Sequence, residues 1–280
     1  MHEQWQPRFH DHLSSSFLDL LRARHPDLLP DPPRLRVEAG PVPAGPVPAA
    51  PVGTTILALK YRDGVLMAGD RQATEGYQVA HRRIEKIYKA DDHSAIAIAG
   101  VAGPSLEMAR LFQTELEHYE KVEGEGLSLE GKANKLAQMV RLNLPAALQG
   151  FIVIPIFAGY DLRRGEGRIF KYDITGGRYE ELDHYATGSG GKDARNALKR
   201  LWRRDLSRED AVRAAAEALI DAAEEDVGTG GPDLVKGIFP SLKLISHGGY
   251  EEVPEDEVER ACKVVLDQRR GEGRPPVGVE

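Results

Sequence analysis

A single cysteine, Cys262, stands in 280 residues, which rules out an intrachain disulfide and leaves no sign of an oxidising compartment. Basic residues are not in excess. Lys and Arg total 37 against 44 Asp and Glu, a formal net charge of −7 that argues against a nucleic-acid surface as the main business, though a local basic patch stays open. No apolar run approaches the roughly 20 residues of a membrane span. The opening stretch MHEQWQPRFHDHLSSSFLDLLRARHPDLL lacks the basic-then-apolar order of a secretory signal, because His10, Asp11, His12 and Ser14 to Ser16 interrupt it. No repeat is visible, and no His/Cys cluster has metal-ligand spacing, so neither a metal nor an organic cofactor is expected. These absences predict a cytoplasmic protein with no membrane and no nucleic-acid partner.

What is present is unevenly distributed. Ten of the 18 prolines fall in residues 1–53, so that segment cannot be regular structure throughout. Ser16 to Leu29 has helical apolar spacing at Phe17, Leu18, Leu20 and Leu21, and Pro30 to Val52 reads as a polyproline-like linker. From Thr54 the character changes. TTILALKY alternates as a strand does, RDG (Arg62 to Gly64) supplies a hairpin signal, and VLMAGD returns. EKIYKADD and SAIAIAG read as a second strand pair.

A helix is expected from Gly103-Pro104-Ser105 to about Lys121, and another over Leu127 to Leu148. Strands follow in FIVIPIFAGYD, GRIFKYDITGG and RYEELDHYATGSG. GKDARNALKRLW is helical, and Ser207 with Asp210 resembles a capping box opening AVRAAAEALIDAAEEDV. LVKGIFPSLKLIS predicts late strands, PEDEVERACKVVLDQRR a final helix, and a disordered tail is expected from about 271. Helices come in groups rather than one per strand, which argues against a doubly wound parallel sheet and favours two antiparallel sheets with helices outside.

The junction Gly53-Thr54 raises a chemical question. A threonine hydroxyl is a poor nucleophile without a base. A free α-amine, with a reference pKa of roughly 7.7–8.0, is a suitable base near working pH. A threonine at a new N-terminus therefore carries nucleophile and base together, whereas the amide nitrogen of an intact Gly53–Thr54 bond has no such basicity. Gly53 has no Cβ, which lets the hydroxyl approach its carbonyl. The plainer reading is that Gly-Thr-Thr merely starts a strand after a linker. Equally, a lone Asp or Lys in a strand is most often a surface charge, and glycine clusters such as TGSGG punctuate helix ends.

Six fragments in order, GTTILAL, GVLMAGDRQAT, RRIEKIY, AIAGVAGPS, ATGSGG and DVGTGG, make residues 54–246 resemble the actinobacterial proteasome β subunits, which are threonine-type N-terminal-nucleophile hydrolases. The resemblance implies an α+β fold, a four-layer αββα sandwich of two antiparallel sheets, with residues 1–53 as a propeptide removed on maturation and 54–280 as the hydrolase domain. It implies Thr54 as nucleophile, Asp70 and Lys86 as its buried acid and lysine, and Ser189, Asp226 and Thr229 as the group around the amine and a nearby water. Gly100 matches the oxyanion-hole position, and Thr74 and Ala102 match positions that bind substrate backbone. Ala73, Ile84 and Ile98 are expected as apolar walls of the specificity pocket. Gly53 is the processing residue.

The implied partners are further β subunits in a heptameric ring, α-subunit rings, and a ring ATPase delivering tagged substrates. Two departures from the family pattern stand out. Gln72 replaces an arginine, and Thr229 replaces a serine. Three rivals remain at this point: a structural, inactive subunit, a two-ring relative lacking α partners, and a non-enzymatic scaffold.

Overall fold

The computed structural model describes residues 53–75 and 78–271. The expected propeptide helix at Phe17 to Leu21, the polyproline-like linker and the expected tail after 271 lie outside the described residues.

Two five-stranded antiparallel sheets form the centre. Sheet I has the order β10-β1-β2-β11-β12, built from β1 (Thr55–Tyr61), β2 (Gly64–Gly69), β10 (His184–Gly188), β11 (Ser241–Ser246) and β12 (Gly249–Glu252). Sheet II runs β5-β6-β7-β8-β9, from β5 (Ile87–Asp91), β6 (Ser94–Gly100), β7 (Val153–Asp161), β8 (Glu166–Tyr172) and β9 (Arg178–Glu181). A small ribbon of β3 (Ala73–Glu75) and β4 (Gln78–His81) stands apart. The helices are α1 (Ala102–Glu123), α2 (Leu129–Leu142), the short α3 (Leu144–Ala147), α4 (Gly191–Leu201), α5 (Arg208–Glu225) and α6 (Glu255–Gly271).

Alternation along each strand generates the layers, because successive side chains leave opposite faces. On β1, Ile56 and Ala58 point to the intersheet core, where they join Val65, Met67, Ala95, Ala97, Ile156, Ala158 and Ile169. Leu57 and Leu59 point the other way and pack with Leu198, Ala215, Leu219 and Val258 of the helices on that side. On sheet II, Ile96, Phe157 and Phe170 leave the opposite face to meet Met108, Phe112 and Leu136 of α1 and α2. Both faces of both sheets are therefore dry, and the stacking is helices, sheet, sheet, helices. The many alanines on the inner faces keep the intersheet layer thin. α5 begins as expected: Ser207 Oγ accepts from Asp210 N–H at 3.1 Å and donates to its carboxylate at 2.8 Å. Its buried alanines lie flat on sheet I.

Several expectations need correction. RYEELDHYATGSG is not one strand. Its halves, β9 and β10, are edge strands of different sheets, and the chain crosses between them at Leu182-Asp183. The helix expected over Leu127 to Leu148 stops at Leu142, and Pro145, which has no N–H, sits in the separate turn that follows. In LVKGIFPSLKLIS only Ser241 onward is strand, since Gly237 adopts φ of +59° and Pro240 precedes the ladder. The β1–β2 turn residues are Arg62-Asp63. Gly64 already belongs to β2, where a Cβ would lie 2.0 Å from Ile245 O of β11.

Candidate active site

Thr54 stands immediately before β1, 4 % exposed, with Gly53 still bonded to it. Its Oγ1 hydroxyl donates to the Gly53 carbonyl oxygen at 2.7 Å. Its backbone N–H donates to Ser189 Oγ at 3.2 Å, and Gly53 N–H donates to Thr74 Oγ1 at 3.1 Å. The junction is thus held from two sides, by Thr74 of β3 and by Ser189 of the β10–α4 loop.

Asp70 follows β2 and is fully buried. Burial of a carboxylate requires that every lone pair be used, and here each oxygen takes two donors. Oδ1 accepts Thr55 N–H at 2.8 Å and Lys86 Nζ at 2.6 Å. Oδ2 accepts Gln72 N–H and Gly230 N–H, both at 3.0 Å. Lys86, 5 % exposed, is brought to the residue after the nucleophile through that shared Oδ1. Burial lowers the Lys86 pKa from the ordinary lysine value, opposed by the charges of Asp70 and Asp226.

Proton counting orders a second network. Thr229 Oγ1 donates to Asp226 Oδ2 at 2.5 Å, so its contact with Thr55 Oγ1 at 2.6 Å must be one it accepts. Thr55 Oγ1 in turn accepts Gly190 N–H at 3.0 Å. Ser189 Oγ donates to the same Asp226 oxygen at 2.5 Å, which leaves its lone pairs to the Thr54 nitrogen. One carboxylate therefore aligns both hydroxyls, and the serine to threonine departure at 229 keeps its hydrogen bond.

The other departure is also accounted for. Gln72 Nε2 donates to Val227 O at 3.0 Å and so ties the loop after β2 to the 226–230 loop.

The structure brings Gly53, Thr54, Asp70, Thr74, Lys86, Ser189, Asp226 and Thr229 into one connected cluster. Of the remaining expected residues, Ala73 lies on β3 and Ile84 in the irregular segment before Lys86, its N–H donating to Arg71 O at 3.0 Å. Ile98 N–H donates to Lys86 O at 3.0 Å, but the Ile98 side chain is 3 % exposed within the core beneath α1. Gly100 ends β6 with φ of +143°, where an added Cβ would meet Ile152 O at 2.1 Å. Ala102 opens α1 and is exposed.

Sequence reasoning missed Thr55, whose hydroxyl is a link in the Asp226 network, and Gly228. A Cβ on Gly53 would lie 2.2 Å from Gly228 Cα and 2.5 Å from its carbonyl oxygen. The need for glycine at position 53 therefore comes from the 226–230 loop across the site, not only from access of the hydroxyl. Only the glycine-rich run DVGTGG hinted at it.

Among the described residues no group of three or more His, Cys, Asp or Glu side chains is arranged to hold a metal ion. The cluster offers a hydroxyl on a carbonyl oxygen, a lysine amine paired with a carboxylate and an aligned hydrogen-bond chain at the nitrogen, the parts needed for acyl transfer to oxygen.

The family profile described as "Proteasome subunit" matches residues 51–236. A "Proteasome subunit beta" of Acidimicrobium ferrooxidans is 56 % identical over 216 residues, 77 % of this chain and 79 % of that protein. A "Proteasome subunit beta" of Acidothermus cellulolyticus is 50 % identical over 275 residues, 97 % of this chain and 93 % of that protein. With more than half its length matched by that profile and both relatives aligned over more than two thirds of it, the chain belongs to the proteasome subunit family, among the β subunits of actinobacterial type.

Proposed function

We propose that the chain is a self-processing threonine endopeptidase subunit of a proteasome core. In the first step Thr54 Oγ1 attacks the Gly53 carbonyl carbon through a five-membered ring. The hydroxyl proton leaves as the C–O bond forms. The C–N bond then breaks, its nitrogen takes a proton to become the α-amine, and residues 1–53 remain as an ester on Thr54. Water adds to the ester, releasing the Gly53 carboxylate and restoring the hydroxyl. The freed amine, beside Ser189 and Asp226, then serves as base for attack on substrate peptide bonds. Gly100 N–H stabilises the oxyanion, a kind of contact worth about 2.7–4 kcal/mol in other hydrolases. Lys86, paired with Asp70, supplies positive charge that favours the deprotonated nucleophile.

The observation that carries this reading is the 2.7 Å contact of Thr54 Oγ1 with the carbonyl oxygen of its own intact junction, while Thr74 holds Gly53 N–H. Thr74 and Ala102 bind substrate backbone, and Ala73 and Ile84 make the pocket apolar, so cleavage follows apolar residues. The working particle is cytoplasmic. It has heptameric β rings between α rings, with the sites in a closed chamber fed by a ring ATPase with tagged, unfolded proteins. The activity needs no cofactor. No described helix is long and apolar enough to cross a membrane.

The test is intact mass and N-terminal sequencing of the chain co-produced with its α partner, followed by hydrolysis of a peptide panel. The wild type should begin at Thr54, and Thr54→Ala should keep residues 1–53 and be inactive. Full peptide hydrolysis by particles with the junction intact, or by Thr54→Ala, overturns the reading. The same mutant separates it from an inactive, structural subunit, whose wild type would match Thr54→Ala. A panel preference for basic or acidic residues overturns the apolar specificity alone.

A further inference from the structure

Lys86 lies outside the sheet ladders. It precedes β5 at the end of an irregular stretch, so strand pairing does not fix its N–H. Its neighbour does. Glu85 Oε1 accepts both Lys86 N–H and Ile87 N–H at 3.0 Å. The other oxygen, Oε2, accepts Ser241 Oγ at 2.9 Å and faces Lys243 Nζ at 3.5 Å. Tyr88 OH closes the turn from the other side by donating to Glu85 O at 2.7 Å.

The anchoring strand matters. Ser241 and Lys243 are on β11 of sheet I, and β11 pairs with β2 so that Ser241 stands opposite Gly69, the residue before Asp70. Lys86 leads directly into β5 of sheet II. The Lys86–Asp70 pair and the Glu85–Ser241 contact are therefore two parallel ties between the sheets, both registered on the same end of β2. Ser241 is 8 % and Lys243 6 % exposed, so the anchor is shielded from water.

We propose that Glu85 is the positioning residue of Lys86: its carboxylate, fixed on Ser241 and Lys243, holds the backbone from which the Lys86 ammonium reaches Asp70. This rests on the threonine-hydrolase reading above. The Glu85 carboxylate is engaged by Lys86 N–H, Ile87 N–H, Ser241 and Lys243 rather than by Thr54; it acts through Lys86. A long lysine side chain has several rotatable bonds, and fixing the backbone at its base confines the ammonium to one approach.

The test uses full assembled particles carrying Glu85→Ala or Glu85→Gln, with kcat and KM measured on a short apolar peptide and thermal melting alongside. A displacement approaching 1 Å in such a group costs up to about a hundredfold, so Glu85→Ala should lower kcat at least tenfold with KM unchanged, and melting should fall because Lys86 N–H, Ile87 N–H and Ser241 Oγ lose their acceptor. Glu85→Gln keeps an Oε1 acceptor for the two N–H groups, and Lys243 keeps Glu252 at 3.1 Å. It should therefore retain kcat within about threefold, an effect small beside that range.

A Glu85→Ala kcat equal to wild type overturns the proposal. So does an equal loss in Glu85→Gln, or a change confined to KM. Should Glu85→Ala not assemble, Ser241→Ala loosens the same carboxylate from its far end and must lower kcat with KM unchanged. Wild-type particles that neither process nor cleave would sink the underlying reading instead, and an active wild type with an unaffected Glu85→Ala sinks only this inference.

Discussion

Substituting Gly53 by alanine puts one methyl group where the structure has no room. The new Cβ would sit 2.2 Å from Gly228 Cα, 2.5 Å from its carbonyl oxygen and 2.7 Å from its carbonyl carbon, against an ordinary contact distance that starts at 3.4 Å. Something must move by about 1.2 Å (3.4 − 2.2), and every atom struck is backbone. That backbone is tied: Gly228 N–H donates to Asp226 Oδ1 at 3.1 Å, Val227 O accepts Gln72 Nε2 at 3.0 Å, and Gly53 N–H is on Thr74 Oγ1 at 3.1 Å. The junction will yield before the loop does, which carries the Gly53 carbonyl off the Thr54 hydroxyl. A misplacement of this size costs about a hundredfold in rate. The assay is a time course of precursor loss by intact mass during particle assembly. Gly53→Ala should process about a hundredfold more slowly, while chains produced to begin at Thr54 should hydrolyse peptides normally. Processing within about threefold of wild type would refute the steric argument, because a collision with tied backbone cannot be that mild.

Other outcomes follow from the same contacts. Asp70→Asn, made on Thr54→Ala chains to hold them unprocessed, turns an amide NH2 toward two existing donors in either orientation and leaves Lys86 buried without its counter-charge. Urea unfolding should show a loss of about 3–5 kcal/mol, and a loss below about 1 kcal/mol contradicts the buried-pair account. The lowered Lys86 pKa fixes a sign. Between that lowered value and the ordinary 10.5 the unfolded chain binds more protons than the folded one, so stability contributed at this site rises with pH across that window and is flat below it. The stability difference between wild type and Lys86→Met, followed by urea unfolding from neutral pH toward 10.5, should shift in favour of wild type, and a shift the other way contradicts the dominance of burial. Arg168, 2 % exposed, joins Glu130, Asp161 and Glu180, and these contacts hold its guanidinium firmly protonated. Of the carboxylates that Arg168→Ala leaves behind, Glu130 and Glu180 are partly exposed and buried Asp161 keeps the Arg163 and Arg164 N–H donors, so the cost should be about 1.5–3 kcal/mol by urea unfolding with peptide kcat intact. A fall in kcat without loss of stability would place Arg168 in the catalytic path.

Legibility in the sequence followed the range of the interaction. β1 and β2 were readable because their alternation is local, and α5 because Ser207 and Asp210 cap it within one turn. β9 and β10 were merged because nothing in RYEELDHYATG marks the two residues at which the chain leaves one sheet for the other. β12 went unread because its four residues, Gly249–Glu252, gain strand character only by pairing with β11. Within the site, Asp70, Lys86, Ser189 and Asp226 stood out through the family motifs. Thr55, Glu85 and Gly228 did not, since each matters through a partner more than 130 residues away: Thr229, Ser241 and Gly53 respectively. Ile98 was expected as a wall of an apolar pocket, and its side chain lies in the core beneath α1.

By itself the sequence determined the periodicities, the proline-dense opening and the nucleophile candidate at its end, because these depend on neighbours along the chain. It also excluded a disulfide framework and a membrane-length apolar run by composition. Only the tertiary structure decided that Asp70 takes four donors, that Asp226 aligns two hydroxyls, and that Gly53 must be glycine. Each of those is a contact between chain segments brought together by the stacking of two sheets. Hydrogen-bond saturation and steric exclusion act across space, and no local pattern records them.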